Sequence, residues 1–387
     1  MKILLYSSVF WPSIGGVETI AATLADNIVK LGHDCVVVTE SPLNGKDESR
    51  SYDVVRKPGY KKRLTLARQS SIIHSNGSSV AMFPYARLAR RPFIWTHNGY
   101  QVSCVDGLGW VDGEAAPMSP AASLRYHYRK KGLACLLKES VKLTVRRLIA
   151  NHVELNIACT QWVAQRQPLK NQVVAYTPYN LKNFSSAARE DSPIYDFIYV
   201  GRLVSEKGLP DLLKAFQLLI SDPHFQSATL AIVGDGFMKT ALQEMTVELK
   251  LDKNISFLGS KQGTDLVKAI AQARIGIVPS RWEEPMGGVS LELLAAGKNI
   301  IVSANGGHAE CIGDAGLKFP NGDYHALHKC MLKLLTDAPL AIQQKENASI
   351  QVNAFDEIDL TKKYINIYEQ VIRHKRGNTL VTHKAGS

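Results

Sequence analysis

No Cys-x-x-Cys pair occurs among the six cysteines, Cys35, Cys104, Cys135, Cys159, Cys311 and Cys330. Their scatter argues against a zinc site or a disulfide frame and for the reduced thiols of a cytoplasmic protein. No run of about 18 apolar residues is present, so no transmembrane helix is expected. The opening "MKILLYSSVF" is apolar but lacks a small-residue cleavage site, and reads as a first buried strand. No Gly-x-Gly-x-x-Gly fingerprint accompanies the strand-to-helix turns, which removes the main support for a nicotinamide oxidoreductase. Low-complexity tracts and internal repeats are also missing, which excludes a solenoid.

What the chain has is positive charge, unevenly placed. The net charge is +11, yet residues 1–182 hold 24 Lys and Arg against 12 Asp and Glu, or +12, and the remainder is at −1. A basic half implies an anionic partner. It is densest from Arg125 to Arg147, with eight basic residues and one Glu. Leu133, Leu136, Leu137, Val141, Leu143 and Val145 interleave with them. That reads as basic amphipathic helices suited to an anionic membrane surface or a phosphate-linked acceptor, with a plain solvated face as the alternative. No nucleic-acid recognition motif accompanies the charge.

Apolar strands alternate with helical patterns in both halves. "KILLYSS", "GVETIAATLADNIVKLG" and "DCVVVTE" form a first β-loop-α-β unit, and "SIIHSN", "PFIWTHN", "LNIACT" and "QVVAYTP" continue it as strands. A polar stretch, Asn180–Pro193, reads as a linker. The alternation restarts at "YDFIYVG" and runs to "NIIVSA". The spacing predicts an α/β protein of two Rossmann-like, doubly wound parallel-sheet domains facing a cleft, 1–182 and 193–355. A last helix over 356–376 would pack back on the first domain, and 377–387 would be a disordered tail.

Ligands of such sheets sit at the C-terminal ends of strands, and the candidate residues fall there. In "YVGRLVSEKGLPDLLKAF", Arg202 and Lys207 flank the loop between a strand and a helix, as a diphosphate would require. "GGVE" puts Gly15 and Gly16 at the start of the first helix, and "VGDG" puts Gly234 after a strand. In "SRWEEPMGGVSLELLAAG", Glu284 precedes the helix, Gly287 and Gly288 open it, and Glu292 lies more than a turn inside. Free N–H groups at the glycines suit phosphate and the carboxylates suit hydroxyls, the layout of a nucleotide sugar. "ANGGHAE" reads as a supporting loop on the same rim, and "PFIWTHNG" ends a strand with His97 at the expected cleft.

Taken together in this order and spacing, these motifs resemble the retaining glycosyltransferases of the GT-B fold, family 4 (glycosyl transferases group 1). The likeness is strongest from Tyr199 to Ile312 and weakest from Gly99 to Asn151. It implies that Arg202 and Lys207 hold the donor diphosphate and that Glu292 binds ribose hydroxyls. Glu284, with the backbone from Met286 to Val289, would bind the transferred sugar. Gly15 and Gly16 would close on the phosphate, and His97 would lie near the anomeric carbon. It further implies a hexosyltransferase acting on a glycan, lipid-linked or small-molecule hydroxyl acceptor in cell-envelope or exopolysaccharide synthesis. Neither a metal nor another cofactor is expected, in keeping with the absence of an Asp-x-Asp pair. The expected location is cytoplasmic, with visits to the inner membrane face and no nucleic-acid partner. Met286 stands where an aromatic is usual, Leu293 where a small residue is usual, and Lys298-Asn299 where a Pro often follows. Rival readings are a non-catalytic nucleotide-sugar-binding partner and a nucleotide-sugar epimerase or hydrolase.

Overall fold

Ile3, Leu4, Leu5 and Tyr6 are all buried, a run without alternation, as in a strand covered on both faces. In the computed structural model they form β1 (Lys2–Ser7), inside a parallel sheet. The structure describes residues 1–12, 15–43, 50–189, 193–375 and 377.

The chain divides into two compact units. The first holds Met1–Gly107, Pro117–Tyr179 and the chain from Phe355 onward; the second holds Leu108–Ala116 and Asn180–Ala354. In chain order the first unit and the segment inserted in it supply β2 (Asp34–Thr39), β3 (Asp53–Arg56), β4 (Ile72–Asn76), β5 (Phe93–His97), the short pair β6 (Trp110–Val111) and β7 (Glu114–Ala115), β8 (Leu155–Ala158) and β9 (Gln172–Val174). The first sheet runs β3-β2-β1-β4-β5-β8-β9, with every neighbouring pair parallel. The strand order reverses between β1 and β4, so the first unit's ligand edge lies where the chain leaves those two strands.

The second sheet is built from β10 (Tyr195–Val200), β11 (Leu230–Val233), β12 (Ile255–Gly259), β13 (Ala273–Val278), β14 (Asn299–Ser303) and β15 (Leu317–Phe319). Its order is β12-β11-β10-β13-β14-β15, again parallel throughout. The reversal falls between β10 and β13, the strands that lead into the Arg202 loop and the Glu284 loop. Each sheet has apolar clusters on both faces, which is what a doubly wound sheet needs to bury its unbroken Val, Ile and Leu runs.

Two features depart from the sequence reading. The Asn180–Pro193 stretch is not a bare linker: Lys182–Arg189 is a 3-10 helix, and Phe184 packs on an apolar cluster of the second unit. The β6–β7 hairpin lies early in the chain yet belongs to the second unit, where Trp110 Nε1 donates to Ser205 Oγ at 3.0 Å. The basic segment is helical as expected, over Pro120–His152, with a break at Gly132, where φ is 79°, that divides it into two helices. The tail read as disordered lies, apart from Gly377, outside the described residues.

The last helix, Glu357–Lys375, packs in the first unit. Tyr368 Oη pairs with His74 Nδ1 at 2.7 Å, Tyr364 Oη donates to Ala175 O at 3.3 Å, and Lys375 Nζ reaches Glu154 at 2.5 Å. The other nitrogen of His74 pairs with Thr96 Oγ1 at 2.7 Å. Burial pushes the His74 pKa down to about 3. A lowered imidazole pKa means that the unfolded chain binds the extra proton between pH 3 and 6.5. Stability is therefore full above pH 6.5 and lost as pH falls. At pH 5 the loss from His74 is about 2 kcal/mol. Replacing His74 with Gln should flatten the acid-side decline in melting temperature; an unchanged slope would contradict this.

Candidate functional site

In the second unit the site grows from the loops after β10 and β13. Gly201 follows β10 directly, and Tyr199 within the strand holds the turn by donating its hydroxyl to Arg202 O at 2.8 Å. Leu203 N donates to Asp235 O at 2.9 Å and Met238 N to Leu203 O at 3.0 Å, so this loop is knitted to the Gly234–Gly236 turn. Arg202 is exposed and reaches Glu206 at 3.2 Å. Lys207 is largely buried and meets Glu284 Oε1 at 2.8 Å.

Glu284 is 8% exposed and is also bonded by Ser280 Oγ. Burial alone would raise its pKa, but the charge of Lys207 and the hydrogen bonds from Lys207 and Ser280 outweigh that and hold it below the usual carboxylate value. The backbone of Glu284 forms a parallel bridge with Gly306 and accepts from Gly307 N at 2.6 Å. A Cβ on Gly287 would stand 2.7 Å from His308 Cα, so only glycine lets the two Gly-Gly loops press together. Gly287 caps the helix Gly288–Ala295. Val289 turns its side chain to the apolar cluster, which leaves its backbone for any ligand, and Met286 is buried. Glu292 lies within this helix, partly buried, and burial raises its pKa to about 7.

The loop ahead of Glu284 is held from several sides. Arg281 forms two 2.5 Å bonds with Asp211, which is 1% exposed near the start of the helix Leu209–Ile220. Arg281 N donates to Glu206 O at 2.9 Å. Sequence reasoning did not single out Asp211, Arg281, Ser280, Glu206 or His308. His308 is fully buried and pairs with Ser303 Oγ at 2.9 Å. Burial lowers its pKa against the pull of the Glu284 charge, and it packs against Gly287 and Gly306 on either side of the Glu284 loop. Its place in "GGHAE" was the only available signal. The arrangement offers an exposed guanidinium, a half-screened ammonium and a helix start for an anion. It also offers two carboxylates for hydroxyls.

In the first unit, Gly15 precedes the helix Gly16–Lys30 at the end of β1; Ser13 and Ile14 lie outside the described residues. Asn76, at the end of β4, donates to Val17 O at 3.2 Å and accepts from Asn98 at 2.7 Å, so the glycine loop and the exits of β4 and β5 share one edge. His97 ends β5 on that edge, but it is fully buried rather than open on the rim. Its Nε2 pairs with Asn156 Oδ1 at 2.9 Å, and its ring packs on Trp95 at 4.4 Å. Nδ1 has no hydrogen-bond partner among the described residues. Burial lowers its pKa to about 4, which keeps it neutral at physiological pH and rules it out as a standing cation. Among the described residues no cluster of His, Cys, Asp and Glu has the geometry to hold a metal ion. No helix is long and apolar enough to cross a membrane, again among the described residues.

Two doubly wound parallel-sheet units, each with loops of this kind at the ends of its strands, are the architecture of the GT-B fold. A solved structure of Anabaena HepE in complex with UDP and glucose superposes with a TM-score of 0.72 over 95% of this chain and 99% of that one, at 18% identity. The particular family follows from the sequence. The model for glycosyl transferases group 1 matches residues 182–351, and the model for glycosyltransferase family 4 matches 14–167. The chain belongs to this glycosyltransferase family. An uncharacterized glycosyltransferase of Methanocaldococcus jannaschii is 35% identical over 30% of this chain, and the match spans only 28% of that relative. A GDP-mannose-dependent monoacylated alpha-(1-6)-phosphatidylinositol monomannoside mannosyltransferase of Corynebacterium glutamicum is 25% identical over 87% of this chain and 89% of its own length.

Proposed function

We propose that the protein transfers a hexose from a nucleotide-diphosphate sugar to a hydroxyl of a glycan, lipid-linked or small-molecule acceptor, with retention of anomeric configuration. The observation that carries this reading is the Lys207–Glu284 pair at 2.8 Å, with Arg202 on the same loop and the helix start at Gly288 following. Arg202, Lys207 and the N–H groups from Gly287 to Val289 neutralise the diphosphate. Gly234 keeps its loop close to them. Glu292 accepts the ribose hydroxyls; Glu284 and Met286 line the transferred sugar. From the first unit, Gly15 and Gly16 at the helix start are assigned to the phosphate, and the buried His97, through its unpartnered Nδ1, to a hydroxyl of the sugar. The C–O bond to phosphate breaks, the acceptor oxygen bonds the anomeric carbon on the same face, and its proton passes to the departing phosphate oxygen. Glu284 is already committed to Lys207 and Ser280, which suits a clamp better than a nucleophile. The chief catalytic device is then positive charge on the leaving group.

Acceptor-dependent release of nucleoside diphosphate from a panel of nucleotide sugars tests the reading. Release equal with and without acceptor would favour a hydrolase. Two further outcomes are expected. EDTA should leave transfer unchanged, because the site's cations are side chains; an approximately tenfold loss restored by a divalent ion would contradict that. Donor affinity should fall as pH drops below about 7, since Glu292 then takes up its proton and accepts hydrogen bonds poorly. Calorimetric titration across pH 5.5–8.5 reads this (about 0.5 unit steps suffice). Glu292→Gln should abolish the dependence. A raised carboxyl pKa also means that native stability declines as pH rises from the ordinary value towards 7. The same variant should therefore melt higher than the parent at alkaline pH.

A further inference from the structure

The helix Pro120–His152 has two apolar faces, and the fold uses one. Leu143 and Ala150 turn inward and are buried. Leu133, Leu137, Val141, Val145 and Leu148 are each between 45% and 65% exposed. At 100° per residue these five fall within an arc of about 120°, opposite Leu143, and span about 22 Å along the axis. The packing of the first unit gives no reason for that stripe. Exposed apolar side chains are ordinary when scattered; five in one contiguous row mark a surface that something covers.

The charge around the row says what. Lys138 and Lys142 border it on one side and Arg147 on the other, all exposed. Arg129, Lys130 and Lys131 sit at the Gly132 break, beside Leu133. The helix has a single acidic residue, Glu139, which lies away from the row and meets Lys142 at 3.3 Å. A second copy of the chain docking face to face would bring these cations against their own kind. An anionic bilayer satisfies both features at once, with the apolar row in the acyl boundary and the lysines and arginines among the head groups.

We infer that the Leu133–Leu148 face of this helix docks the protein on an anionic lipid surface by shallow insertion. The inference rests on the proposed transfer reading only for its purpose, access to an acceptor carried by the membrane. Binding itself is read without any sugar. The test is co-sedimentation with phosphatidylcholine vesicles, with and without phosphatidylglycerol, at low and high salt. The parent protein should partition onto the anionic vesicles and be weakened, not released, by salt. The double variant Leu137→Asp, Val141→Asp should lose about tenfold or more in partition at either salt. Lys138→Glu with Lys142→Glu should lose the preference for anionic lipid. Both variants should keep the parent's melting temperature and nucleotide-sugar binding, which separates failure of docking from failure of the transfer reading. A parent that ignores anionic vesicles, or an apolar-row variant that binds them as well as the parent, would overturn the inference. So would light scattering that shows a dimer dissolved by the same substitutions.

Discussion

Replacing Lys207 with alanine is expected to cut the transfer rate about a hundred- to a thousandfold, the effect of removing one preorganised charge from a leaving group. The same change should lower stability by about 3 kcal/mol, because it leaves the Glu284 carboxylate buried without its partner. The pair stands at 2.8 Å with both side chains largely covered, so neither charge is screened as a surface ion would be. The two consequences can be separated. Adding Glu284→Gln to the lysine variant removes the orphaned charge and should recover part of the melting temperature, while the rate stays low. Steady-state kinetics with thermal melts of the three proteins reads both. If the rate recovered along with stability, Lys207 would be a structural residue and the leaving-group account would be wrong.

Gly234→Ala is expected to cost about 4 kcal/mol, enough to leave the second unit partly unfolded. Its φ is 145°, where a side chain adds strain of about 1–2 kcal/mol. The added Cβ would also run into the carbonyl oxygen of Gly201, and overpacking of that kind adds about 1–3 kcal/mol. Since the Gly201 turn carries Arg202, any relaxation of the clash should also weaken donor binding. Gly259→Ala is the control. Its φ of 70° carries strain, but no atom lies within 4 Å of the added Cβ, so about 1 kcal/mol should be lost. Urea unfolding of the two variants compares them. Equal losses would mean that the contact with Gly201 does not hold the loop.

The sheets were legible because buried parallel strands write themselves as unbroken apolar runs, as "KILLYS" and "IGIVPS" do. The glycine and cation motifs were legible because they fall where such runs end. What the sequence hid were partners distant along the chain. Asp211 reads as an ordinary first-turn acid until Arg281 is seen on it, 70 positions away. His308 reads as part of a turn until its loop is seen against Gly287. His97 sits at the strand end that the pattern implies, but whether its side chain is open or buried depends on Trp95 and Asn156, and no period encodes that. The Trp110 hairpin was opaque for another reason. Its strands have two residues each, too short for periodicity, and they join the unit that the rest of that half does not. In the basic helix the pattern gave the apolar residues but not which of them face outward.

The central claim is that the Arg202–Lys207 loop and the Glu284–Glu292 segment together grip one nucleotide sugar. Ligand-observed NMR of a nucleotide-sugar panel, run on the parent protein, on Lys207→Ala with Glu284→Gln, and on Glu292→Gln, tests it most directly. The account predicts that one donor class binds the parent with contacts at both ribose and hexose. The ribose contacts should weaken in Glu292→Gln, and binding as a whole should weaken when the Lys207–Glu284 pair is removed. Variants that bind the same donor as tightly as the parent, or a parent that binds none of the panel, would contradict it.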